Sequence, residues 1–173
     1  PRREPSLLAR LKEHPEISFT GGALDPAAVE GTSLVMISPG LSPEFSDAAP
    51  IVSEAKRLGV EVVGEIELFA RELARLREEK GYHPKVIGIT GTNGKTTTTS
   101  LTAKMLNAGG VSAVAAGNIG PNAVTELTEH DKAGTLPDAW VLELSSFQLQ
   151  TTESLFCDAA AITNVTEDHI DWH

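Results

Sequence analysis

The sequence contains little cysteine, few basic residues and no long apolar run. Cys157 is its single cysteine, which excludes an internal disulfide and is typical of a reducing cytoplasm. Fourteen lysines and arginines stand against 24 aspartates and glutamates, and the net charge of -10 argues against nucleic acid or anionic membranes as partners. No apolar run approaches a membrane span, and the first residues lack the apolar segment of a signal peptide. We therefore expect a soluble cytoplasmic protein that binds any anionic ligand through a local loop.

Strand and helix patterns alternate along the chain in two blocks. The first block has predicted strands at EISFT, SLVMIS and EVVG, and predicted helices at LLARLKEH, FSDAAPIVSEAKRLG and IELFARELARLREEK. The second has predicted strands at KVIGIT, VSAVAAGN, AWVLELSS and AAAITNV, and predicted helices at TTTTSLTAKMLNAGG and PNAVTELTEH. Such alternation predicts an α/β fold with a mostly parallel sheet, whose ligands bind beyond the carboxyl ends of the strands. The stretch GYHP between the blocks divides the chain into predicted domains of residues 1–83 and 84–173.

A glycine-rich stretch, GITGTNGKTTTT, joins the predicted strand KVIGIT to the helix that follows. Glycines allow backbone N–H groups to converge on an anion, and the positive end of a helix adds to the attraction. Lys95 supplies a formal charge, and the Thr96 hydroxyl can ligate a magnesium ion that bridges two phosphates. Ile89 stands where the usual phosphate-binding pattern has its first glycine. A chance glycine-rich turn is the alternative, but the flanking strand and helix favour a phosphate-binding loop.

Two acidic features follow predicted strands in the second block. Glu143 interrupts the apolar strand WVLEL, and a buried carboxylate there would need a partner or a metal, whereas strand alternation could instead point it to solvent. The stretch NVTEDHIDWH places His169 among carboxylates after the last predicted strand, where they could bind a metal or a phosphate or form a solvated acidic loop. Because parallel strands end at one edge of a sheet, we expect Thr90, Asn118, Glu143 and His169 to converge on one crevice.

Taken together, these motifs resemble the Mur ligase superfamily. ITGTNGKTTTT, GNIG, VLELSSFQL and NVTEDHIDWH occur in the family's order, and SPGLSP and VVGEIELF support the likeness in the first block. The phosphate-binding loop is shared throughout the family, whereas LELSSFQL resembles the members that add D-glutamate. The resemblance implies part of a Rossmann-like, UDP-substrate-binding domain over residues 1–83, followed by the N-terminal part of a P-loop, ATP-binding central domain over residues 84–173.

The resemblance also implies a reaction. ATP would phosphorylate the terminal carboxylate of UDP-N-acetylmuramoyl-L-alanine, and the amine of D-glutamate would attack the acyl phosphate, a step in the synthesis of peptidoglycan precursors. The enzyme would be a cytoplasmic monomer that acts on small molecules with ATP and Mg²⁺. Positioning and charge neutralisation would carry most of the catalysis.

Roles for individual residues follow from the same resemblance. The implied ATP-binding residues are Gly91, Thr92, Asn93, Gly94, Lys95, Thr96 and Thr97. Thr96 and Glu143 would hold one magnesium ion and His169 a second, and the implied catalytic residues are Lys95, Glu143 and His169. Asn118 and Ser145 would contact the UDP-N-acetylmuramoyl-L-alanine substrate, with Ser38 and Gly40 at its nucleotide-diphosphate part.

Three other hypotheses stay open at this point. One is a sister ligase or a folylpolyglutamate synthase that adds a different amino acid, against which LELSSFQL argues. The others are a non-catalytic nucleotide-binding module and a small-molecule kinase. Compared with the family, the first strand of the uridine-binding domain, a carbamylated lysine and the third domain would lie outside these residues. We therefore expect that the 173 residues alone do not catalyse ligation.

Overall fold

The computed structural model describes residues 14–167, and the first of its two sheets is small. Strands β1 (Leu34–Met36) and β2 (Glu61–Val63) pair in parallel, and helix α1 (Ala49–Leu58) connects them. Ile37, Ala48 and Val52 form the small core of this unit, which a short 3-10 helix at Pro26–Val29 precedes. The strands predicted at SLVMIS and EVVG and the helix predicted between them are confirmed.

The second sheet has four parallel strands in the order β4-β5-β3-β6. Its strands are β3 (Lys85–Thr90), β4 (Ala113–Gly117), β5 (Ala139–Glu143) and β6 (Ala159–Ile162), and the helices between them are α3 (Lys95–Ala108), α4 (Ala123–Ala133) and α5 (Ser146–Leu149). Ile89 of β3 lies level with Glu143 of β5, so these two strands end side by side. The predicted α/β fold with parallel sheets is confirmed.

Helix α2 (Glu65–Lys80) follows the first sheet in sequence but packs on the second. Its Phe69 meets Trp140 of β5 edge to face, with ring centroids 5.4 Å apart, and Leu73 belongs to the same buried cluster. Trp140 Nε1 also donates to the hydroxyl of Tyr82, at 2.9 Å. By its core contacts α2 therefore belongs with the second sheet, and the domain division at residue 83 stays a prediction.

The predicted strand EISFT is wrong. Its residues form no regular element, and Ile17 and Phe19 are each about half exposed. A strand needs a neighbour that accepts its backbone hydrogen bonds, and within residues 14–167 β1 pairs with β2 alone. The predicted helix LLARLKEH lies almost wholly outside the described residues.

Helix α3 buries small residues against the sheet. Thr99 and Ala103 are buried, whereas Leu101 and Met105 are 55% and 65% exposed. The helix itself is confirmed, and of its large apolar side chains Leu106 packs against the cluster of Ile89, Ala103 and Val141, whereas Leu101 and Met105 do not. None of the helices in the described part of the chain is long and apolar enough to cross a bilayer.

We predict that Gly64→Ala destabilises the protein by roughly 1–3 kcal/mol, the usual cost of overpacking. Gly64 lies between β2 and α2, and its N–H donates to the backbone oxygen of Thr151, at 3.3 Å. A Cβ at this position would overlap Thr151 Oγ1 and lie 3.3 Å from Thr151 Cβ. The measurement is the urea-unfolding midpoint of the full-length gene product.

Gly40→Ala is the matched control, because a Cβ there would meet no atom within 4 Å. We expect its unfolding midpoint to equal that of the wild type. An unchanged midpoint for Gly64→Ala would contradict the close approach of the two chain segments.

Candidate functional site

The loop from Gly91 to Gly94 connects the carboxyl end of β3 to α3. Gly91 has φ +127, and a side chain there would overlap Thr163 Oγ1 and bring a Cβ to 2.9 Å from the backbone oxygen of Asn164. Gly94 caps α3 at φ +84, in the region that favours glycine. The first N–H groups of α3 have no intrahelical partners, and the positive end of the helix faces the loop. This geometry is suited to holding a phosphate.

Lys95 begins α3 and folds back over the loop. Its Nζ donates to the backbone oxygens of Gly91, at 2.7 Å, and Thr92, at 3.0 Å. The ammonium group therefore lies on the inner side of the loop, where a phosphate at the start of α3 would contact it.

Glu143 ends β5 inside the protein, with a relative exposure of 1%. Asn118 Nδ2 donates to its Oε1 at 2.6 Å, and Oε2 has no hydrogen-bond partner within residues 14–167. The alternative that strand alternation points Glu143 to solvent is thus excluded. A buried carboxylate oxygen without a partner is costly, and a bound cation would satisfy it.

A cleft of about 450 Å³ lies beyond the carboxyl ends of these strands. Its wall contains six of the residues predicted from the sequence, namely Thr90, Gly91, Thr92, Lys95, Asn118 and Ser145. Thr96 and Thr97 are exposed on the first turn of α3, and Glu143 borders the cleft through Asn118. Ser38 and Gly40 follow β1 and are not part of this wall. His169 lies outside the described residues.

Ser145 is held by a residue that the sequence analysis missed, Gln148. Gln148 Oε1 accepts from the backbone N–H and the hydroxyl of Ser145, at 3.0 and 3.1 Å, and its own N–H donates to Ser145 Oγ. The pair caps α5 reciprocally. The spacing S-x-x-Q is the sequence signal that could have revealed this cap.

Gln148 also connects the cleft to α2 through a buried carboxylate. Its Nε2 donates to Glu65 Oε2 at 3.3 Å, and the backbone N–H of Val124 donates to Glu65 Oε1 at 3.0 Å. Burial raises the pKa of Glu65 above its ordinary value, and these hydrogen bonds offset part of the rise. The first residue of α2 thus supports both α5 and the start of α4.

Glu67, in the first turn of α2, holds the segment between α5 and β6. Its carboxylate accepts from the backbone N–H groups of Glu153 and Ser154, at 2.8 and 2.9 Å, from the Ser154 hydroxyl and from Arg71. Burial alone would raise its pKa, but the hydrogen bonds outweigh burial and lower the pKa to about 2. Glu67 is therefore an ionised, fully paired anchor between α2 and the second sheet.

We predict that Glu67→Gln destabilises the protein at pH 7 by roughly 1.5–3 kcal/mol, the worth of hydrogen bonds to a charged group. Because the folded pKa is lowered from 4.5 to about 2, the stabilising effect is present above the ordinary pKa and is lost as the pH falls towards the folded value. The difference in the free energy of unfolding between the variant and the wild type should become smaller as the pH falls from 4.5 to about 2. Unfolding midpoints as a function of pH measure this.

Glu79→Gln removes an exposed ion pair with Arg75 and serves as the control, with little change expected at any pH. A destabilisation by Glu67→Gln that stays constant down to the lowest pH would contradict an ionised anchor.

The parallel sheet and the β3–α3 loop place the chain in the class of α/β proteins with a glycine-rich loop between a strand and the following helix. Residues 89–173 match the family model described as Mur ligase middle domain. The chain belongs to the Mur ligase family.

Several curated relatives carry the name UDP-N-acetylmuramoylalanine--D-glutamate ligase. The one from Ralstonia nicotianae is 53% identical over 99% of this chain and 35% of its own length. Those from Bordetella avium and Cupriavidus pinatubonensis are 54% and 50% identical, over 88% and 99% of this chain and 30% and 34% of their own lengths. The chain therefore spans about a third of the length of these relatives.

A solved structure of a UDP-N-acetylmuramoyl-L-alanyl-D-glutamate--2,6-diaminopimelate ligase is also similar. It is 21% identical, the match covers 92% of this chain and 41% of that one, and the TM-score is 0.49.

Proposed function

We propose that the protein is an ATP-dependent ligase that joins D-glutamate to UDP-N-acetylmuramoyl-L-alanine in peptidoglycan precursor synthesis. One observation carries the proposal: a single cleft is lined by the β3–α3 loop, Lys95 and Asn118, and the Asn118 side chain bonds to the buried carboxylate of Glu143. The relatives share one name and are 50–54% identical in sequence to this chain, which supports D-glutamate and UDP-N-acetylmuramoyl-L-alanine as the two substrates. The single cysteine fits the reducing cytoplasm that we propose as its location.

The loop and the start of α3 would hold the phosphates of ATP. The candidates are Lys95, which already lies inside the loop, and the backbone N–H groups at the N-terminus of α3. These groups offer a fixed positive potential without a large basic surface, which fits a chain with a net charge of -10.

The residues present also fit a magnesium ion. Glu143 offers a buried oxygen without a partner in the described part of the chain, and Thr96 follows Lys95 on the exposed first turn of α3. Both supply the oxygen ligands that magnesium prefers. When bound, the ion would neutralise charge on the phosphates. The role of His169 as ligand of a second ion stays a prediction.

Asn118 and Ser145 would orient the acceptor substrate. Asn118 is fixed by Glu143, and Ser145 by Gln148, so both present polar groups in defined positions on the cleft wall. Ser38 and Gly40, at the end of β1, are the candidates for the nucleotide-diphosphate part.

The reaction needs two steps, and in each step one bond forms and another breaks. A carboxylate is a poor electrophile, so an oxygen of the substrate carboxylate would first take the terminal phosphoryl group of ATP, and ADP would leave. The amine nitrogen of D-glutamate would then attack the carboxyl carbon, and phosphate would depart with the former carboxylate oxygen. The residues of this chain would contribute positioning and charge stabilisation to both steps.

Phosphate release by the full-length gene product tests the proposal. The assay contains ATP, magnesium and UDP-N-acetylmuramoyl-L-alanine, with D-glutamate compared against L-glutamate, L-alanine and diaminopimelate. We expect release with D-glutamate alone. Release with another amino acid would indicate a sister ligase, and a stable phosphorylated hydroxyl product would indicate a kinase.

We predict that Glu143→Gln lowers phosphate release by at least about 100-fold, because the variant loses a charged oxygen that faces the proposed cation. Glutamine keeps an oxygen that can accept from Asn118 Nδ2, so the fold should persist. Glu129→Gln, an exposed substitution on α4, is the control for loss of one carboxylate. Activity of Glu143→Gln within a few-fold of the control would contradict the assignment.

A further inference from the structure

The segment that follows β6 binds the glycine-rich loop along one side. The backbone N–H of Thr166 donates to Thr92 Oγ1 at 3.0 Å, and Thr92 Oγ1 donates to the backbone oxygen of Thr166 at 3.2 Å. Thr163 N–H continues the sheet by donating to Thr90 O at 2.9 Å. Between these two contacts, Asn164 makes three hydrogen bonds to Thr92 and Asn93 of the loop, and Asn164 itself has been given no role so far.

Asn164 holds the N–H side of two consecutive peptide units. Thr92 N–H donates to the Asn164 backbone oxygen at 3.0 Å, and Asn93 N–H donates to Asn164 Oδ1 at 2.9 Å. In a planar trans peptide the C=O and N–H groups point in opposite directions. The carbonyls of the same two units, Gly91 and Thr92, therefore point away from Asn164, and both accept from Lys95 Nζ. The position of the Lys95 ammonium thus depends on Asn164 through two peptide planes.

The next peptide unit has the reverse orientation. The carbonyl of Asn93 accepts from Asn164 Nδ2 at 2.8 Å and from Thr163 Oγ1 at 2.6 Å. By the same geometry, the N–H of Gly94 points away from Asn164, towards the side on which Lys95 lies. The asparagine amide group therefore sets both orientations, since its oxygen holds one peptide and its nitrogen holds the next.

We propose that Asn164 is a positioning residue for nucleotide binding, which turns the Gly94 N–H and the Lys95 ammonium to the same side of the loop. The inference rests on the proposed binding of ATP phosphates by this loop. It also reduces the number of backbone N–H groups that we expect to contact a phosphate. Those of Thr92 and Asn93 bond to Asn164. The N–H groups of Gly94, Lys95 and Thr96 are the ones that we expect to contact a phosphate.

The test uses the full-length gene product and the affinity for Mg-ATP, with steady-state kinetics in parallel. Asn164→Ala removes both side-chain hydrogen bonds and should weaken Mg-ATP binding by about tenfold or more, the equivalent of ~1.4 kcal/mol. The KM for ATP should rise more than kcat falls, and the KM for the UDP-linked substrate should change little. Asn164→Asp keeps the acceptor for Asn93 N–H but sets an oxygen against Asn93 O, so it should also bind Mg-ATP more weakly.

Two matched comparisons separate positioning from general stability. Asn107 is likewise an exposed asparagine, at the far end of α3, and its side chain makes three hydrogen bonds to Ala103 and Ala113, at 2.8 to 3.2 Å. Asn107→Ala should leave the affinity for Mg-ATP unchanged. Thr163→Ser keeps the hydroxyl that holds Asn93 O, and it should bind Mg-ATP more tightly than the near-isosteric Thr163→Val.

Each outcome has a defined meaning. Mg-ATP affinity of Asn164→Ala within about twofold of wild type would overturn the proposal, as would an equal loss in Asn107→Ala. If the wild type binds Mg-ATP but adds no D-glutamate, the proposed ligase function fails, while the binding comparison still tests Asn164. A wild type that binds no Mg-ATP would overturn both.

Discussion

The buried carboxylate of Glu143 is the constraint on which the arrangement of the second sheet depends. It ends a strand whose five residues are all buried, so its charge cannot be left to solvent. Asn118 satisfies one oxygen, and the backbone around Asn118 is shaped for that contact. Gly117 has φ +95, and a Cβ at this position would lie only 2.5 Å from the Glu143 backbone oxygen. The N–H of Asn118 donates to the same oxygen at 2.9 Å. The ends of β4 and β5 thus converge on one carboxylate, whose second oxygen is buried without a hydrogen-bond partner within residues 14–167.

Two further buried carboxylates, Glu65 and Glu67, lie where the chain passes from the first sheet to the second. Both lie in the first turn of α2, directly after the close contact of Gly64 with Thr151. Their environments differ: burial raises the pKa of Glu65, whereas hydrogen bonds lower the pKa of Glu67 against the effect of burial. Through Gln148 and Ser154 they hold the segment that carries Ser145. The first turn of α2 therefore connects the end of the first sheet to the wall of the cleft.

Local patterns predicted most of the fold, and long-range contacts account for what they missed. The loop, α3 and the carboxylate of β5 were each recognisable because glycine spacing, helix periodicity and an interrupted apolar strand are local signals. The bond between Gln148 and Glu65 spans 83 positions, and that between Asn164 and Asn93 spans 71, so neither follows from spacing. The predicted strand EISFT failed for a related reason, since pairing depends on a neighbour that sequence alone does not supply. Likewise, which face of α3 is buried depended on its packing against the sheet, where Thr99 and Ala103 fit and Leu101 does not.

The central claim is that Glu143 is kept buried and half-satisfied in order to hold a cation beside the phosphate-binding loop. A crystal structure of the full-length gene product with magnesium and a non-hydrolysable ATP analogue tests it most directly. The account predicts a metal ion at ~2.0–2.1 Å from Glu143 Oε2, as magnesium geometry requires, with the Thr96 hydroxyl as another ligand. A complex in which the nucleotide binds elsewhere, or in which Glu143 Oε2 contacts only protein groups, would contradict it.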